Sequence, residues 1–270
     1  MADRPIIAVA NVKGGTGKTT TAAALADGMR RMGARVLAVD CDPQGDLSRI
    51  QGGYIAEGTC TTTDLIKGAD VVPTAGGQAT VPTTDELEYA DSEPDPGTGR
   101  PLSYYALAEG IRRAMDAHGF DACVIDTHPE KNFPTTSALI AATHVLIPSE
   151  AEAFGVQGVV AMESYLDAIA EDLDKGWEGV GVVITKYRRT TTMHRRVADS
   201  VAAQLGAQGV RVFDQRISRT IQIPEAQAEG RSIYDESYLH GAAAQYMWLT
   251  QSVVEWAMGG DGEGAEGGGE

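Results

Sequence analysis

A chain of 270 residues with 43% hydrophobic content has enough apolar side chains for one large α/β core, or at most two small ones. Its formal net charge of −16, from 38 acidic against 22 basic residues, excludes a broadly basic surface that would coat nucleic acid, but is compatible with a local basic patch. There is no run of about 18 apolar residues and no signal-peptide pattern, so neither a membrane span nor export is expected, and the expected location is cytoplasmic.

In chain order, the apolar residues 5–11 predict a first strand, followed by the glycine-rich stretch NVKGGTGKTT over residues 11–20. Leu25, Met29 and Met32 recur at helical spacing in a helix over 21–32, which Gly33 ends. Residues 35–39 predict a second strand that runs into the acidic turn Asp40, Cys41, Asp42, Pro43, Gln44, Gly45. A short helix over 61–67 starts on capping threonines. Residues 68–101 are rich in Gly, Pro, Thr and acids and predict an exposed loop, most clearly over 91–99, within a continuing domain.

Alternation then resumes. Helices are predicted over 103–118 (with Leu107, Ile111 and Met115 on one face), 134–142, 156–172, 193–205 and about 239–258, and strands over 121–126, 144–147, 179–185 and 210–213. The tail, 259–270, is glycine and acid with one alanine and is expected to be disordered, which leaves a single domain over 1–258. Strands alternating with helices predict an α/β fold: a mostly parallel, twisted sheet with helices on both faces. In such sheets ligands sit at the carboxyl ends of the strands, where all the candidate motifs fall. The cysteines Cys41, Cys60 and Cys123 are widely spaced without a CxxC, which suggests neither a zinc site nor a disulfide framework.

The order strand, glycine loop, helix is the context of a phosphate-binding loop. Gly14, Gly15 and Gly17 let backbone N–H groups converge on an anion with those of Thr16, Thr19 and Thr20, and the helix N-terminus adds partial positive charge. Lys18 would reach the β- and γ-phosphates, and the Thr19 hydroxyl would ligate Mg2+. Asp40 and Asp42, two apart on extended backbone, can face one pocket. A carboxylate there can orient or deprotonate an attacking water, the role expected of Asp42, or hold metal through water, the role expected of Asp40. Asp126 closes an apolar strand, the position of an acid that binds a magnesium-coordinated water beside a γ-phosphate-sensing turn at 127–129.

The loop departs from the general P-loop pattern: Val12 stands five residues before Gly17, where a glycine is usual, and Lys13 adds a second lysine at the loop's start. In this it resembles the deviant Walker A loop of the ParA/MinD superfamily, whose first lysine reaches across a dimer to the other subunit's nucleotide. The resemblance extends to residues 42–45 as switch I, to Asp126, to the Thr185–Thr190 segment, and to Ile223 and Pro224 with residues 230–233 as the region near the adenine base. Relatives usually have two prolines after the residue that follows the strand-ending acid; here the first is His128.

The resemblance implies a P-loop ATPase that uses ATP and Mg2+, with Lys13, Lys18 and Asp42 serving hydrolysis. It implies a homodimer when ATP-bound, nonspecific DNA binding in that state, and a ParB-like, centromere-binding partner in plasmid or chromosome partition. The cluster Lys186, Arg188, Arg189, Arg195 and Arg196, followed by Arg216 and Arg219, is the candidate DNA surface. The alternative is a MinD-like or other cargo-positioning ATPase that does not act on DNA. Against a membrane role, the last helix carries Tyr246, Met247, Trp248, Val253, Val254 and Trp256 with Glu255 and no basic residue. An iron-protein-like electron carrier would need paired interface cysteines, which the three here do not supply. A chain that keeps the fold but has lost hydrolysis, for instance through His128, is a further alternative.

Overall fold

β1 (Ile6–Val9) lies within a seven-stranded, all-parallel sheet. The other strands are β2 (Val36–Cys41), β3 (Ala79–Val81), β4 (Ala122–Thr127), β5 (His144–Glu150), β6 (Gly179–Tyr187) and β7 (Arg211–Ser218), in the order β3-β2-β4-β1-β5-β6-β7. The structure, a computed structural model, describes residues 4–52, 58–92, 99, 102–150, 155–188, 192–207, 210–235 and 241–259. Expectations for Arg189, and for the tail from residue 260 on, lie outside the described residues; of Arg195 only the backbone is described.

The helices are α1 (Lys18–Arg31), α2 (Asp46–Ile50), α3 (Thr62–Ile66), α4 (Ala106–His118), α5 (Phe133–Ala141), α6 (Gly155–Leu173), α7 (Thr192–Ala207), α8 (Gln222–Ala228) and α9 (Ala242–Ala257). Strands buried on both faces need to be apolar on both, and β1, β2 and β4 are buried at every position. Ile6, Ala8, Leu37 and Cys123 join one core with residues of α4, α5 and α6; Ile7, Val9, Val36 and Val124 join a second with α1 and α9. Cys41 and Cys123 are buried and free, and burial pushes both thiols up, as expected of core cysteines.

The last helix packs into the protein. α9 buries Tyr246, Leu249, Val253 and Ala257 against α1 and the sheet. Trp256 stacks edge-on with His144 and Phe213 at centroid distances of 4.6 and 5.4 Å. The ring fits because Gly179 has no Cβ: one added there would stand 2.4 Å from Trp256. Gly28 of α1 likewise admits Thr250 of α9. Among the described residues no helix is long and apolar enough to cross a membrane.

One expectation needs correction. Residues 68–92 do not form a plain exposed loop: they contribute the edge strand β3, which pairs with β2, and a 3-10 helix (Asp85–Ser92) that buries Leu87 and Ala90. The loop expected over 91–99 lies mostly outside the described residues. Three-residue Ala-Thr-Val and a helix in which four of eight residues are acidic give little periodic signal, so tertiary contacts define them. α2 and α8 form where no helix was predicted, and β7 extends to Ser218. The Thr61 cap is present as a reciprocal capping box with Asp64.

Candidate functional site

The carboxyl ends of β1, β2, β4, β5 and β6 converge on one cavity of about 1210 Å³. From the glycine loop it is lined by Gly14, Gly15, Gly17, Lys18, Thr19 and Thr20. Gly15 (φ 75°) and Gly17 (φ 91°) adopt left-handed backbone, which glycine takes without strain and which turns the loop into the start of α1. The Asn11 side chain braces the loop's base, donating to the Pro148 carbonyl at 2.8 Å and accepting from the Lys13 N–H at 2.9 Å. Thr185 of β6 donates to the Thr16 carbonyl at 2.8 Å, while Thr16 itself is buried beneath the cavity. The result is a preformed anion cradle at a helix N-terminus.

Three carboxylates lie next to it. Asp40 and Asp126 are cross-strand partners on β2 and β4, both fully buried. Asp40 accepts from the Ser48 N–H (2.8 Å), the Ser48 hydroxyl (2.6 Å) and the Asp42 N–H (3.1 Å), so its oxygens hold the first turn of α2. Burial raises its carboxyl to about 6, against those hydrogen bonds. Asp126 is pushed well above the usual carboxylate range by burial and by Asp40, with Thr19 and Lys18 opposing. One Asp126 oxygen accepts from the Thr127 N–H, while Oδ2 is buried with no hydrogen-bond partner. Burial lowers Lys18, and Asp126 and Asp42 oppose that shift.

A cation fits this arrangement. The Asp126 carboxylate, with Oδ2 unpartnered and with the Thr19 side chain near enough to favour its charged form, suits Mg2+ held by one hydroxyl, water and phosphate. No group of three or more His, Cys, Asp or Glu that could hold a metal occurs among the described residues. Of the two carboxylates expected near the metal, Asp126 keeps an unpartnered oxygen and Asp40 does not.

Asp42 lines the cavity, its Oδ1 accepting from the Gln44 N–H at 3.0 Å. His128 also lines it, with Nε2 3.9 Å from Asp42 Oδ1. Lys13 is not among the lining residues. Its ammonium turns to Glu150 at 3.9 Å, with about a third of the side chain exposed. Ile217, Ile221, Ile223, Pro224 and Tyr246 also line the cavity. Gln227 of α8 donates to the Thr20 hydroxyl at 2.8 Å, and Tyr246 and Thr21 hydroxyls lie 3.1 Å apart, tying both helices to α1.

The basic residues divide. Arg188 and Arg196 are exposed. Arg216 is paired with Asp199 at 2.6 Å and lies over the Tyr187 ring. Arg219 lines the cavity. Lys186, at φ 50°, ion-pairs with Glu150 at 2.7 Å and donates to the Gly15 carbonyl, which puts its ammonium at the glycine loop. Sequence reasoning missed Glu150, Gln227 and Tyr246. Glu150 had one available signal, its position at a strand's carboxyl end; the other two come together only through the fold.

Cradle, buried lysine and flanking carboxylates on a parallel sheet define a P-loop nucleotide-hydrolysing protein. A family model described as AAA domain matches residues 4–178. The chain is 30% identical over 254 residues to the chromosome partitioning protein ParA of Caulobacter vibrioides, covering 92% of this chain and 93% of that one. It is 31% identical over 249 residues to the chromosome-partitioning ATPase Soj of Thermus thermophilus, covering 92% and 94%. Among solved structures, cobyrinic acid a,c-diamide synthase from Mycobacterium smegmatis, with bound ATP analog and magnesium, superposes with a TM-score of 0.72 at 26% identity, covering 94% and 95%. The chain belongs to the ParA/Soj family of partition ATPases within the ParA/MinD superfamily.

Proposed function

We propose that this ATPase is a two-subunit switch: ATP with Mg2+ joins two copies face to face, the joined form binds DNA without sequence preference, and hydrolysis releases it. The observation that carries the reading is the contrast between the two loop lysines. Lys18 lines its own cavity, whereas Lys13 does not: its ammonium stands 3.9 Å from the lining residue Glu150, and its side chain stays about a third exposed. A cation so placed can neutralise phosphate charge on a second copy more readily than on its own nucleotide.

In this reading Gly14 to Thr20 cradle the phosphates, Lys18 neutralises the β- and γ-phosphate charge, and Ile223 and Pro224 pack on the base. Thr19 and Asp126 would hold Mg2+, which when bound would help to offset the charge that develops on the phosphates. Asp42, the one carboxylate of the three that lines the cavity, orients the attacking water. Arg188 and Arg196, with Arg189 and Arg195, supply backbone-phosphate contacts that two subunits would double, which reconciles DNA binding with the −16 charge. A ParB-like partner on a centromere-like site would stimulate hydrolysis. Residues 1–258 act as one ATPase domain, consistent with the length over which the relatives match.

The test is binding to a random-sequence duplex across a salt series, with ATP and Mg2+ or with ADP. The reading predicts ATP-dependent, salt-sensitive binding; no affinity at low salt with ATP and Mg2+ would remove DNA from the account.

A further inference from the structure

The hydrolytic site contains a residue that the P-loop motifs do not account for. His128 stands in the turn after β4, its side chain about one-fifth exposed, and it shares the cavity with Asp42. Its backbone is fixed from two sides: the Thr135 hydroxyl donates to the His128 carbonyl at 3.2 Å, and the preceding Thr127 hydroxyl donates to the Val9 carbonyl at 3.0 Å. Asn132, capping α5, accepts from the Thr135 N–H at 3.1 Å and holds that anchor.

The ring's orientation is also set. The Glu130 N–H donates to Nδ1 at 3.3 Å, so Nδ1 is the acceptor and the neutral imidazole carries its proton on Nε2. Nε2 is the nitrogen that faces Asp42 Oδ1, at 3.9 Å. That is about 1 Å beyond a hydrogen bond, a gap typical of catalytic contacts that tighten only with substrate bound. The Gln44 N–H already holds the same Asp42 oxygen. A second donor on it would fix the carboxylate's plane and leave the other oxygen to accept from water.

We propose that His128 is a positioning residue for hydrolysis, its Nε2–H holding the Asp42 carboxylate in the orientation that aligns the attacking water. This rests on the reading of Asp42 as the water-orienting acid. The bonds that change are those of ordinary ATP hydrolysis: the water oxygen bonds to the γ-phosphorus, the bond from that phosphorus to the β,γ-bridging oxygen breaks, and the water proton leaves through Asp42 or a phosphate oxygen. His128 takes part in none of them.

The experiment compares full-length wild type, His128→Ala, His128→Gln, His128→Asn, Asp42→Ala and the Asp42→Ala/His128→Ala double variant, each for kcat and for affinity toward a fluorescent ATP analogue with Mg2+. A glutamine amide can reach the place of Nε2, whereas an asparagine amide reaches only that of Nδ1. We expect His128→Ala and His128→Asn to lose about ten-fold or more in kcat, with nucleotide affinity within about two-fold of wild type, and His128→Gln to recover most of the rate. The double variant should be no slower than Asp42→Ala alone, because the histidine acts through the aspartate. Wild-type kcat in His128→Ala, or equal losses in all three His128 variants together with lost affinity, would overturn the proposal. Wild-type turnover in Asp42→Ala would instead overturn the reading of Asp42 on which it rests.

Discussion

Replacing Asp40 with asparagine should change how stability depends on pH, and the size of the change follows from the site. In the nucleotide-free protein, burial raises the Asp40 carboxyl from 3.8 to about 6. Asp42 and Asp126 are the acids that face it; Asp42 raises it further, and the Ser48 and Asp42 donors act in the opposite direction. Because the folded value lies above the unfolded one, unfolding releases a proton between about pH 4 and pH 6, and stability falls as pH rises through that window. The full loss is about 3 kcal/mol, and roughly half of it falls between pH 5 and pH 7.5.

The asparagine side chain has no such proton, so the wild-type stability minus that of Asp40→Asn should fall by on the order of 1 kcal/mol from pH 5 to pH 7.5. Taking the difference cancels the titration of distant acids and the pH-independent cost of altering the Ser48 bonds, while Asp126, which the Asp40 charge pushes up, is pushed up less in the variant and so does not cancel. The assay is urea unfolding followed by tryptophan fluorescence, without nucleotide and with chelator, at several pH values. A flat difference would mean that Asp40 ionises in the fold as it does in water, and a rising one that the fold favours its charged form; either would refute the reasoning.

Further predictions concern packing and the loop lysines. Gly28→Ala should lower stability by about 1–2 kcal/mol despite alanine's better helix propensity, because its Cβ would meet Thr250 Oγ1 at 2.6 Å; Thr250→Ala should relieve the loss in a urea titration of the double variant. Glu150→Gln releases the ammonium groups of Lys13 and Lys186 from a sheltered carboxylate, and should tighten ATP-dependent self-association by about two- to five-fold in sedimentation, the scale of a partly exposed ion pair. Weaker association in that variant would mean that Glu150 aids the joined state rather than competing with it.

Much of this architecture could be read from the sequence. β1, β2 and β4 are near-continuous apolar runs because both faces are covered, and such runs are legible without any partner. The loop from Asn11 to Thr20 was legible for a different reason: its chemistry lies in backbone conformation, and Gly15 and Gly17 mark it. β3 was not legible, because three residues at a sheet edge owe their conformation to pairing with β2. The contact between Lys186 and Glu150 depends on β5 lying beside β6, so composition read Lys186 as part of an arginine-rich surface while the fold turned it to the glycine loop. Tyr246 stands over 200 residues from Thr21, and only the packing of α9 on α1 brings their hydroxyls together.

The account's central claim is that Lys13 couples nucleotide state to the joining of two copies. Sedimentation velocity of Asp42→Ala and of Lys13→Ala/Asp42→Ala, each with ATP and Mg2+, tests it most directly, since the shared substitution keeps ATP intact. The account predicts dimers in the first and monomers in the second, with nucleotide still bound to both. Dimers of equal stability in both would contradict it.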